Sequence, residues 1–205
     1  MSIQISASFQ DMMEKLKGVP VIESAIKAAT ASAVNKTAVS VRAEAVRMLR
    51  KDYNLKATDI RSLLEIRKAT ADRTEATIYG SGSPGVPLYG FDPTPKRVPS
   101  TAREGKSYSP IGGVSVMVTR GSRKQVTGAF AAQMRSGHAG VFQRVPGRRM
   151  RGGKKEAIKE LFGPSPIKIL ASDKYAIPLD DYAADTLDRN IVHEVDFYLS
   201  RMGAR

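Results

Sequence analysis

No cysteine occurs in the 205 residues. Disulfides, thiolate nucleophiles and cysteine-based zinc sites are therefore excluded. The absence also fits a protein made in a reducing cytoplasm. Tryptophan is missing too, and aromatics are 6% of a chain that is 41% hydrophobic. The core must come mainly from Ala, Val, Ile, Leu and Met. No apolar run approaches the ~20 residues that a membrane span needs. Met1 to Lys17 lacks the basic-then-apolar order of a signal peptide. These absences predict a soluble protein with no membrane partner, which stays in the cell that made it or is packaged from there.

What the chain has in excess is positive charge. The formal net charge is +13 and the isoelectric point about 10.1. Charge of that size speaks to partners and solubility, not to fold. The usual partner is a polyanion, namely DNA, RNA or an anionic membrane. Acidic neighbours in an assembly would answer the same excess.

Residues 8–17 form a short amphipathic stretch closed by Gly18 and Pro20. A long helix is predicted from Pro20 to about Arg50, since Pro suits a first helical position. Val34, Ala38, Val41, Ala45 and Met48 alternate spacings of four and three, which makes one apolar stripe. Arg42, Arg47, Arg50 and Lys51 lie off it. Ala28, Ala29, Ala31, Ser32 and Ala33 allow another element to approach closely. One helical turn is predicted over Lys56 to Ile60. Ser62 to Thr70 and Thr74 to Gly80 read as strands joined by Ala71-Asp72-Arg73.

Residues 80–113 hold Pro84, Pro87, Pro93, Pro95, Pro99 and Pro110 with many Gly and Ser. They read as a long loop or arm outside the core. Strands follow at Val114 to Thr119, Val126 to Met134 and Ala139 to Val145. Arg120 to Lys124 reads as a tight basic turn, and Pro146 to Lys155 as a Gly- and Arg-rich loop. Ile167 to Leu170 reads as one more strand. Tyr182 to Met202 reads as a helix with Leu187, Ile191, Val195, Tyr198 and Met202 on one stripe. Asp180 and Asp181 stand just before it, where negative charge suits a helix start.

Helix, sheet, then helix predicts an α+β fold. A long N-terminal helix and a C-terminal helix would pack on an antiparallel β-sheet, with a long Pro/Gly-rich arm. The whole chain, 1–205, reads as a single domain. Within it, 1–55 is an N-terminal helical segment, 81–113 the arm and 180–205 the C-terminal helix.

Candidate chemistry is thin. Gly80-Ser81-Gly82-Ser83-Pro84-Gly85 matches the dinucleotide spacing GxGxxG, but that chemistry needs the loop to open a helix. Pro84 and Pro87 oppose such a start, so a flexible turn is the better account. His138 and His193 are the only histidines. His193-Glu194 lacks the second His of a zinc-protease helix. His138, in a turn, has no oriented partner that would make it a base. Asp180, Asp181, Asp185 and Asp188 could bind Mg²⁺ in a nuclease, but helix capping or a basic patch on a neighbouring subunit explains them as well. No catalytic residue, metal site or cofactor is assigned.

The most pointed run is Arg144, Arg148, Arg149, Arg151, Lys154 and Lys155, with glycines at 147, 152 and 153. Gly lets backbone approach a phosphate, and Arg makes bidentate contacts. Arg120, Arg123 and Lys124 form a second run at a hairpin tip. No aromatic is interleaved, which argues against the stacking of single-strand binders. These nine residues are the candidates for facing DNA or a partner. A solvated loop accounts for them too.

The middle of the chain also resembles a known family. Gly128-Ala129-Phe130, Gln133-Met134, Gly137-His138 and Val141-Phe142-Gln143-Arg144-Val145 resemble the phage minor tail protein Z family. Pro166-Ile167-Lys168-Ile169 and Ile177-Pro178-Leu179 are similar to the segment closing that family's sheet. The likeness covers most of the chain and is specific over 128–179. The arm at 81–110 and residues 152–164 depart from it. The resemblance implies a non-enzymatic structural virion protein, made in the host cytoplasm. It would complete the tail at its head-proximal end or neck. Its partners would be other tail or neck proteins, such as the tail terminator, tail tube or connector. It also fits a homo-oligomeric ring, expected as a hexamer, around a channel for dsDNA bound without sequence specificity. A free non-specific nucleic-acid-binding protein is the alternative.

Overall fold

The computed structural model describes residues 2–6, 20–80, 85–95, 113–150 and 156–203. The amphipathic stretch at 8–17 lies outside them, as do 81–84 and 96–112 of the expected arm. The fold is α+β, and the chain divides into two compact units.

The first unit contains residues up to Met48, Ile60–Gly82 and Ile167–Arg205. Its main element is helix α1, Pro20–Asp52. No Gly or further Pro interrupts its 33 residues, which span roughly 50 Å. Arg50 and Lys51 in its last turn suit the helix dipole. Val34, Ala38, Val41 and Ala45 are buried as the stripe predicts, and Met48 is half-buried. Ala29, Ala31 and Ala33 are buried as well.

Strands β1 (Ser2–Ser6), β2 (Leu64–Arg67) and β3 (Glu75–Gly80) form an antiparallel sheet in the order β1-β3-β2. The segment 1–55 thus opens with a strand. A short helix α2 (Ala57–Ser62) precedes β2, near the expected turn. Asn35 of α1 treats the exit of β2 as a strand partner. Its side chain donates to the Ala69 carbonyl at 3.0 Å and accepts from the Ala69 amide at 2.8 Å.

Two expectations fail in this unit. Ile167 to Leu170 is no strand but part of helix α3, Pro166–Leu170. Ile167 and Leu170 are both buried, and only a helix puts residues three apart on one face. Pro166 pre-sets the helix start. Gly80 leaves room for the Ile167 side chain, since a Cβ there would lie 2.3 Å from its Cδ1.

The second failure concerns the C-terminal helix α4, which spans Asp173–Gly203 with Pro178 inside it. The acid in its first turn is Asp173, so Asp180 and Asp181 are not caps. Its buried line is Tyr175, Leu179, Ala183, Thr186 and Glu194. This runs one residue beside the expected stripe, whose Leu187, Ile191, Val195 and Tyr198 are only half-buried. Apolar counting misses it because its second half is polar. Asn190 Nδ2 donates to Thr37 Oγ1 at 2.9 Å, and Lys36 Nζ donates to Glu194 Oε1.

The second unit contains Leu49–Asp59 and Ser83–Pro166. β4 (Val114–Thr119) and β5 (Ser122–Val126) form one hairpin. β6 (Ala129–Gln133), β7 (Ala139–Arg149) and β8 (Glu156–Glu160) form a three-stranded antiparallel sheet in that order. The antiparallel pairing therefore occurs as three sheets. Phe130, Ala132 and Phe142 form a small core here, with Met134 and Ile158 against it.

Part of the expected arm is packed. Phe91 is fully buried, Val86 and Leu88 nearly so, and Gly163 N–H donates to the Val86 carbonyl at 2.8 Å. The glycine spacing at 80–85 opens no helix, only a 3-10 turn at Leu88–Gly90.

Phe91→Ala should lower unfolding free energy by about 3–5 kcal/mol, read from urea unfolding, because a buried ring leaves a cavity. A second prediction follows from Glu194. Burial pushes its carboxyl up, but hydrogen bonds from Lys36, Ser32 and His193 outweigh this and hold it below the usual carboxylate range. A depressed carboxyl stabilises the fold above its unfolded pKa, about 4.3, and that contribution is lost as pH falls through the folded value. Melting temperatures below about pH 4.3 should therefore fall more steeply in the natural chain than in Glu194→Gln.

Candidate basic surface

All nine cationic candidates belong to the second unit. Arg151, Lys154 and Lys155 lie outside the described residues. The other six split by what their side chains touch.

The β4–β5 hairpin turns at Arg120-Gly121, where Gly121 has φ +75 and Thr119 pairs with Ser122. The expected basic turn is thus two residues long, and Arg123 and Lys124 stand on β5. Arg120 and Lys124 are exposed.

Arg123 is tied into the fold. Its Nη2 donates to Asp92 Oδ2 at 2.6 Å, and its Nη1 donates to the Asp92 carbonyl at 2.8 Å and Thr94 Oγ1 at 2.9 Å. Asp92 has φ +48, in the left-handed region that Asp tolerates. Thr94 and Ser115 bridge through both backbone amides. One guanidinium therefore clasps residues 92–94 onto β4 with charge-assisted bonds.

The β7 arginines differ along the strand. The half-buried Arg144 has its guanidinium carbon 5.5 Å from the Phe130 ring centroid, a cation–π contact. Pro146 and Gly147 do not end the strand as expected. They sit where the β7–β8 register shifts, between Val145 and Arg149, and Gly147 has φ +74. A bulge there absorbs a residue that cannot donate. Beyond it Arg148 and Arg149 are exposed, and Arg149 pairs with Glu156 in the ladder. The edge strand β8 went unread in the sequence. Its Glu156, Lys159 and Glu160 mask the alternation and protect the edge.

The structure also gathers cations that sequence reasoning did not group. Arg50, Lys56 and Arg120 line a groove of about 500 Å³ with Asn54, Tyr89 and Pro93. Two backbone bonds bring these parts of the second unit together. Arg120 N–H donates to the Asp52 carbonyl at 2.9 Å, and Asn54 N–H to the Val118 carbonyl at 3.0 Å. Nothing local in the sequence signals this, since Arg120 is far from Arg50.

No histidine sits beside a nucleophile among the described residues. Contrary to expectation His138 has an oriented partner: its Nε2 lies 2.9 Å from Glu160 Oε1, and its ring meets Phe142 edge-on. His193 Nδ1 lies 3.2 Å from Glu194 Oε1. No group of three or more His, Cys, Asp or Glu is placed to hold a metal ion among the described residues. None of the described helices is long and apolar enough to cross a membrane.

The family model of prophage minor tail protein Z (GPZ) matches residues 10–201. The chain belongs to that family. Membership makes it a structural component of the phage tail, and so of the virion, alongside other tail components. No curated protein and no solved structure matches the chain. Within this tail protein, Arg148 and Arg149 of β7 and the groove residues Arg50, Lys56 and Arg120 are exposed, whereas Arg123 serves the fold.

Arg123→Ala should cost about 1–2 kcal/mol in urea unfolding, because it strands a partly covered Asp92. Arg148→Ala, at an exposed position, should stay within about 0.5 kcal/mol of the natural chain.

Proposed function

We propose that this tail protein completes the head-proximal end of the tail or the neck as a closed homo-oligomeric ring. Six copies are expected, in keeping with a six-fold tail. Rotational closure is how one kind of subunit surrounds a channel. Its neighbours are the tail terminator, tail tube or connector, and dsDNA crosses the channel without being read. In this role the chain carries out no catalysis.

The match over residues 10–201 carries the tail role. The exposed Arg148 and Arg149 beyond the β7 bulge support contact with DNA. Arginines beside glycines hold phosphates without reading bases. Arg151, Lys154 and Lys155 continue that run in sequence.

Electron microscopy of assembled particles is the test of the ring. The expected result is a six-fold ring at the head-proximal tail. Absence from the virion, or a persistent monomer, would overturn it. For the channel, replacing Arg148, Arg149 and Arg151 with Glu should sharply reduce infectivity while the melting temperature stays near that of the natural chain. Normal infectivity would remove the DNA role of this segment. If the isolated monomer instead binds DNA with a steep salt dependence, the free nucleic-acid-binding reading gains.

A further inference from the structure

We infer that the groove lined by Arg50, Lys56 and Arg120 receives the acidic face of helix α4 from a second copy of the chain. The inference rests on the proposed ring and names one of its contacts.

The groove has an unbalanced positive charge. Its lining includes one acid, Asp92, and that carboxylate is taken by Arg123. Arg50, Lys56 and Arg120 are exposed and have no ion-pair partner among the described residues. Leu55, Tyr89 and Pro93 complete the lining with apolar surface. The fitting occupant is anionic, elongated and partly apolar.

The chain carries such a surface itself. Asp181, Asp185 and Asp188 stand at spacings of four and three, so they share one face of α4. All three are exposed and lack ion-pair partners among the described residues. They span about 10 Å along the axis. One turn beyond each end, the same line carries Ile177 and Val192, which are 59% and 63% exposed.

This arrangement does nothing for the isolated helix. α4 begins at Asp173, so these acids stand past the first turn, where the dipole no longer rewards them. Like charges at such spacings repel by a few tenths of a kcal/mol. A cationic partner removes that repulsion, and apolar contacts at both ends add burial.

The groove is built from the second unit and the acidic face from the first. Two different surfaces of one chain meeting make a head-to-tail contact, the kind that closes into a ring. DNA would answer the cations but not the acidic helix, so a second copy accounts for both.

The experiment uses the full-length chain and follows its mass by sedimentation across a range of concentrations. One variant reverses the groove (Arg50→Glu, Lys56→Glu, Arg120→Glu). Another reverses the helix (Asp181→Lys, Asp185→Lys, Asp188→Lys). Each alone should weaken assembly by about tenfold or more. An equimolar mixture of the two should assemble again, because each reversed surface then meets its complement on the other chain. A chain carrying both reversals should assemble for the same reason. Should the triple variants not fold, Arg120→Ala and Asp185→Ala should weaken assembly several-fold without changing the melting temperature. Assembly indifferent to both faces, or not restored in the mixture, would overturn this contact and leave the ring standing. A chain that stays monomeric at every concentration would overturn the ring and this contact together. Loss of DNA binding in the groove variant with assembly unchanged would assign the groove to DNA instead.

Discussion

The burial of α1 is the constraint on which the rest of the structure depends. Thr30, Ala33, Val34, Thr37, Ala38, Val41 and Leu49 are all but sealed from solvent. Small side chains make this possible, because Ala and Thr let backbones approach closely while Ala favours the helix. A helix covered on more than one side gains by satisfying its polar groups within the protein. Thr37 does so twice, donating to the Ala33 carbonyl at 2.9 Å and accepting from Asn190, whereas the buried Thr30 hydroxyl has no hydrogen-bond partner among the described residues. Asn35 gives both ends of its amide to Ala69. Position along α1 thus fixes where β2 ends and which face of α4 turns inward.

That inward face explains what the sequence could and could not tell. Periodicity found α1 because its stripe is apolar and its length unbroken. It found β4 to the residue, because Val114, Val116 and Met117 stand between a glycine and a hairpin turn. It misplaced the start of α4 because Asp180 and Asp181 look like a helix start, whereas the helix begins at Asp173 and runs through Pro178. It chose the wrong stripe because the inward line there is polar: Thr186 and Glu194 are buried and Asn190 half-buried, all three hydrogen-bonded. Ile167 to Leu170 reads as a strand in sequence, yet the spacing of the buried Ile167 and Leu170 is helical. The family likeness was legible where short motifs occur in order, and the match extends it to nearly the whole chain.

The candidate surface was legible as charge and illegible as chemistry. Sequence grouped Arg120, Arg123 and Lys124 by adjacency. In the fold their side chains part company, since Arg123 closes on Asp92 while Arg120 lines a groove with residues far away in sequence. Adjacent cations on a strand alternate in direction, so a run of like charge rarely acts as one patch. Arg144 and Arg148 make the same point on β7. One lies over Phe130 before the bulge, and the other is exposed beyond it. Counting cations therefore overstates what a phosphate can reach.

A net charge of +13 also sets a problem for any assembly of this chain. Identical subunits with that charge repel one another, and the repulsion grows with every copy added to a closed ring. Two effects oppose it. Local pairing of unlike surfaces removes charge where subunits touch, and a polyanion on the common axis neutralises what remains. DNA carries one negative charge per about 1.7 Å of duplex, so a short length in a channel offsets many subunit charges. In the proposed ring the two effects reinforce each other, because the acidic face of α4 is spent at the joints and leaves the basic β7 segment for the duplex. Both are charge pairings of groups exposed in the single chain, and both weaken as salt screens them. Assembly and DNA passage in such a ring are then governed by the same ionic strength.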